Sequence, residues 1–178
     1  MDDARAQLID TMEQLQPHLI WGLKDLTDEQ RYYFLGTDYP IGYTAWHVAR
    51  SLDNTISTVL QGTDQIWEAK GYREKLNFPE GRRSSGLTHE ETTEEIRVEP
   101  WPLFLEYVND VLEGVLHYLK TSSDAEFLSL MPNARVDASH SIGEYSKARL
   151  LRGRITHATL HSGEIFCLRG AQGLQGAP

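Results

Sequence analysis

Cysteine is nearly missing from this chain: Cys167 is the only one in 178 residues, so no intrachain disulfide can form. Basic residues are also scarce. Lys and Arg number 17 against 26 Asp and Glu, a net charge of −9 at pH 7, and that field repels phosphate backbones and anionic bilayers. Neither nucleic acid nor a membrane is the expected partner. No apolar run reaches transmembrane length and no charged-then-apolar leader is seen, so the expected location is the cytoplasm. Internal repeats are absent, as are low-complexity stretches beyond a Gly-rich end. What remains is 40% apolar and 24% charged, near the globular average, and the length suits one domain over 1–178 with a flexible tail at about 171–178.

Alternating strand patterns are lacking too, whereas helical periodicity recurs. Leu8, Met12, Leu15, Leu19, Leu23 and Leu26 form one apolar stripe and predict a helix over 3–26. Pro17 lies inside it and has no N–H for the Glu13 carbonyl, which predicts a kink or a split there. Thr27-Asp28-Glu29-Gln30 is a capping-box pattern that should open a short helix. After Tyr39-Pro40-Ile41-Gly42, residues 44–61 place Ala45, Val48, Ala49, Leu52, Ile56 and Val59 on one face, ending at Gly62. Periodicity then fails over 62–99, which reads as a long crossover with one short helix around Trp67. Residues 101–120 restore it, Pro100 and Pro102 suiting the first turn. Ser123 should cap a short helix through Leu130, and a last helix is expected over 142–169. Four long amphipathic helices predict an all-α four-helix bundle.

The chemistry-bearing residues are histidines. His157 and His161 are four apart, so on a helix their rings lie about 40° from each other on one face, a spacing suited to metal ligation. Alanine follows His157, which excludes the His-Glu-x-x-His zinc-protease motif. No Glu-x-x-His occurs anywhere, which excludes a di-iron carboxylate bundle. Glu164 lies seven residues after His157 on the same stripe, together with Leu150 and Leu168. Two imidazoles and a carboxylate among leucines need partners when buried, and a metal would be one. His47 shares its helix face with Ser51, Asn54 and Thr58, opposite the apolar stripe. His18, His89, His117 and His140 have no ligand spacing with one another.

Leu26-Thr27-Asp28-Glu29-Gln30, then Ile41-Gly42-Tyr43-Thr44-Ala45-Trp46-His47 with Asp53 after it, then His157-x-x-x-His161-Ser162-Gly163-Glu164-Ile165, together resemble the DinB-like superfamily. The resemblance runs along nearly the whole chain in order and spacing. It implies an up-down-down-up bundle, whose two parallel central helices would account for the long crossover. It also implies that His47, His157 and His161 hold one divalent metal with water on the open side. Zinc or nickel suits such imidazole ligands, with iron or manganese as further options. Relatives include transferases and isomerases that use low-molecular-weight thiols, so the implied function is a metal-dependent S-transferase or hydrolase acting on a small molecule. The alternative is a non-catalytic metal-binding stress-response module. A homodimer is expected on the same grounds.

Other roles follow from position. Glu164 is a candidate catalytic base, or the acceptor for a ligand ring N–H, or simply a salt-bridge partner. Asp53 reads as a structural cap or ion-pair partner, and Arg50 as a surface ion pair or an anion binder. Cys167 points about 80° away from His157 and reads as a small buried side chain. The polar row Ser51, Asn54, Thr58 should border a pocket over the metal, partly closed by the crossover around Trp67 and Tyr72. Trp46 and Trp101 are further candidates for its lining.

Overall fold

The computed structural model describes residues 2–36, 39–82, 85–88, 90–92, 96–135 and 142–178. Helix dominates them. The first helix, α1 (Asp2–Leu23), is continuous through Pro17. Glu13 and Pro17 both lie on the exposed side, where water can take the carbonyl that the proline leaves free. The helix stops at Leu23 rather than Leu26, because Asp25 adopts a left-handed φ of 57°, which no helix can contain. Arg169 then donates to the Gly22 and Lys24 carbonyls at 3.2 and 3.3 Å, satisfying acceptors that a helix end leaves open.

Thr27 and Gln30 close the capping box at 3.3 and 2.9 Å and start α2 (Asp28–Arg31). The next helix, α3 (Ile41–Asp53), begins three residues earlier than periodicity suggests, directly after Pro40. Its first turn lies tight against α2: a Cβ on Gly42 would stand 2.7 Å from the Tyr32 ring. From Asn54 to Gln61 the helix continues with π geometry and ends at left-handed Gly62, φ 68°. The crossover holds α4 (Ile66–Ala69) and α5 (Tyr72–Lys75), so the short helix around Trp67 is present.

Helix α6 (Trp101–Thr121) and the Ser123-capped α7 (Asp124–Leu128) follow. The expected helix over 142–169 then departs from expectation at its start. Residues Ile142–Ser146 form strand β2, antiparallel to β1 (Leu130–Arg135), with Leu130 opposite Ser146 and Arg135 opposite Ile142. Pro132, lacking an N–H, falls where the register is irregular between Met131 and Ala134. Ser146 has extended backbone, φ −70° and ψ 151°, and accepts from Arg149 N, so α8 runs Lys147–Ala171.

The four long helices share one core. α1 packs on α6 and α8, and α3 packs on the same two. Met12, Leu19, Leu23, Ile41, Leu52, Phe104, Tyr107, Leu112 and Leu119 are almost wholly buried there. Arg5 reaches the Ser122 carbonyl at 2.7 Å and Trp101 Nε1 the Leu23 carbonyl at 3.0 Å. Lys147 reaches the Leu60 carbonyl at 2.7 Å. No described helix is long and apolar enough to cross a membrane.

Candidate metal centre

His47 sits in the second turn of α3 and faces α8, whose four-residue spacing sets His157 and His161 one above the other. The ligand atoms of the three rings lie within 4.8 Å of one another. His157 Nε2 is central, 3.1 Å from His47 Nε2 and 3.0 Å from His161 Nε2. Tyr43, one turn before His47, stacks on it with centroids 6.0 Å apart and planes 20° apart.

Protonation decides what such a trio can hold. The Glu164 carboxylate accepts from His161 Nδ1 at 2.6 Å, which requires a proton on Nδ1 and turns Nε2 toward the other two rings. His157 is half-buried, and burial first, then the neighbouring His161, His47 and Arg154, push its pKa down to about 3. It is therefore neutral at neutral pH, the form that ligates a metal. A single N–H on His157 can point to only one of its two neighbours. A cation among the three nitrogens would engage every lone pair at once. Nitrogens on a tetrahedral zinc at about 2.0–2.1 Å stand roughly 3.3 Å apart, close to the separations seen. The group could thus hold a metal ion, and its carboxylate–histidine pair is the usual outer support of such a ligand.

A cavity of about 160 Å³ opens beside His47 and His161, lined also by Tyr39, Tyr43, Thr44, Ser85 and Gly86. It lies toward the start of α3, so the row Ser51, Asn54, Thr58 does not border it. Asn54 and Thr58 are exposed, and Asn54 accepts from Gln65 Nε2 at 3.2 Å. Trp67 and Tyr72 do not close it either. Both are buried, their rings packed on Tyr107 at 4.8 and 5.2 Å, because the crossover tucks its aromatic residues into the core and brings its Ser-Gly turn to the cavity. Trp46 and Trp101 are core residues as well. Tyr43 could have been suspected from its position four residues before His47. Tyr39, Ser85 and Gly86 arrive from loops and leave no periodic signal.

The remaining candidates take structural places. Asp53, fully buried, accepts from the backbone N–H groups of Ile66 and Trp67 at 2.8 and 2.9 Å, so it caps α4 from a distance. Arg50 lies over the Trp67 ring at 5.0 Å and 3.8 Å from Asp53, which removes it from the surface. Cys167 is exposed rather than buried: the face of α8 that it occupies is not packed against another helix. His18 and His117 are exposed and outside the histidine group. His89 and His140 lie outside the described residues.

No family model matches the chain, and none of the curated proteins does. Among solved structures it is similar to a conserved protein from Enterococcus faecalis, with a TM-score of 0.74 and 19% identity over 92% of this chain and 94% of that one. At that identity the likeness shows a shared, largely helical fold and nothing about activity.

Proposed function

We propose that this chain is a divalent-metal-dependent enzyme of the DinB-like kind, acting on a small molecule at His47, His157 and His161. One observation carries the reading: three imidazole nitrogens converge beside a cavity that a ligand can enter. Three imidazole ligands leave coordination open, as in catalytic rather than structural sites. A bound zinc or nickel ion would lower the pKa of a water or a thiol held there. Glu164 keeps His161 Nδ1 protonated and its Nε2 aimed at the centre, so its part is that of a positioning residue. Tyr43 limits rotation of the His47 ring. The turn at Ser85 and Gly86 narrows access for water.

The reaction we favour is transfer involving a low-molecular-weight thiol, with hydrolysis as the variant in which water takes the thiol's place. The same reading makes α1, α3, α6 and α8 an up-down-down-up bundle. Supporting it, the start of α1 bonds the end of α6, the end of α1 bonds the end of α8, and the start of α8 bonds the end of the α3 segment. The long link before α6 is what two parallel central helices require. A homodimer belongs to the reading, and light scattering checks it.

The test is metal analysis of protein purified without a nickel column, followed by thiol titration of the cobalt-substituted form. One equivalent of metal and a sulfur-to-cobalt charge-transfer band are expected. Stoichiometric metal with no band for any thiol would leave a hydrolase or a non-catalytic metal-binding module. No metal would end the proposal.

A further inference from the structure

The cavity beside the histidines is small and walled by rings, and both properties bear on what it accepts. Its volume of about 160 Å³ is close to the roughly 150 Å³ at which an apolar protein cavity takes up one benzene. Tyr43 is buried, and Tyr39 is 43% exposed at the mouth. Their rings stand 5.0 Å apart and tilted by 48°, an aromatic wall continuous with the His47 ring on which Tyr43 stacks.

Among the described residues, the polar lining other than the histidines consists of hydroxyl groups. Thr44 and Ser85 contribute hydroxyls, and among the described residues no Asp, Glu, Lys or Arg lines the cavity. Among the described residues, an anionic headgroup would find no cationic side chain in this lining, and a flat apolar group would find two ring faces.

We propose that this cavity is a size-selective subsite for a single uncharged ring, such as a phenyl group, attached close to the atom that meets the metal. Tyr39 and Tyr43 are its specificity-determining residues. The inference rests on the thiol reading above and narrows it: the thiol carries a compact aromatic group rather than a long or charged one. A second fused ring overfills the space, and the fit then costs displacement of Tyr39, the only one of the two tyrosines with solvent behind it.

Cobalt-substituted protein titrated with phenylmethanethiol, (2-naphthyl)methanethiol and 2-mercaptoethanol decides it. The first two have the same S–CH2 group and hence similar thiol acidity, while the naphthyl compound has more apolar area and would bind tighter in an open groove. We expect the phenyl thiol to bind about tenfold more tightly than the naphthyl thiol. The Y39A variant, altered at a half-exposed mouth position, should bring the two affinities to within about threefold by releasing the steric limit. Naphthyl binding as tight as phenyl in the unaltered protein overturns the size limit alone. A preference that survives Y39A overturns the role of Tyr39. No band with any of the three, 2-mercaptoethanol included, overturns the thiol reading and this inference with it.

Discussion

Two polar clusters lie along α3, and they are built on opposite principles. At Asp53 every acceptor site is taken: the backbone N–H groups of Ile66 and Trp67, the Ser57 hydroxyl at 2.9 Å and the Tyr107 hydroxyl at 3.0 Å all donate to one buried carboxylate. At His47, His157 and His161 three ring nitrogens instead turn toward one another, within reach of a single point between them. A buried polar group with complete protein partners holds the fold together. Lone pairs that converge on one point suit a cation that arrives from outside. The distinction explains why two clusters of similar polarity, less than two turns apart at their α3 residues, invite different expectations.

The largest effect should come from breaking the complete cluster. Asp53→Ala leaves two N–H groups and two hydroxyls without an acceptor and deprives Arg50 of its neighbouring charge, so a loss of about 3–5 kcal/mol is expected in denaturant unfolding. Metal bound per folded molecule should not change. His157→Ala should do the reverse. It should abolish most metal binding, and with it a metal-dependent stabilisation of about 3 kcal/mol at hundredfold excess over Kd, while metal-free stability shifts little. His47→Ala and His161→Ala should follow it, and His117→Ala should not. If His117→Ala empties the site as thoroughly, the histidines have been wrongly grouped. Glu164→Gln comes next, since it replaces the carboxylate that holds His161 Nδ1–H. Metal affinity should fall about 10–100-fold in a competition titration, and an unchanged affinity would reduce Glu164 to a surface ion pair.

How much of this was readable before the structure differs between the two clusters. The spacing of His157 and His161 is a local property of one helix, so the pair is visible in the sequence. Bringing His47 to them requires the packing of α3 on α8, which no local pattern encodes; only the family resemblance suggested it. The position of Asp53 was visible but its partners were not, because Ile66, Trp67 and Tyr107 are separated from it by 13 to 54 residues. The hairpin escaped because helical periodicity runs from α8 back into Ile142–Ser146, and only Ser146 as a cap marks the true start. The pocket was misplaced for a related reason. A polar row on a helix says which face avoids the core, but not whether that face meets a cavity or open water.

The smallest expected effect sharpens the comparison most. Ser57 donates its hydroxyl to Asp53 Oδ1, and the same oxygen also accepts from Ile66 N at 2.8 Å. Ser57→Ala therefore removes one donor from an acceptor that keeps a second, and the alanine leaves no polar atom behind. Nothing is stranded on either side. The net worth of one such bond is about 1 kcal/mol, and a loss of that size in denaturant unfolding, with metal content unchanged, is the expected result. A loss comparable to that of Asp53→Ala would mean that the cluster depends on each donor rather than on the carboxylate as a shared acceptor. The contrast with the histidines would then weaken, because both clusters would fail on the removal of a single partner.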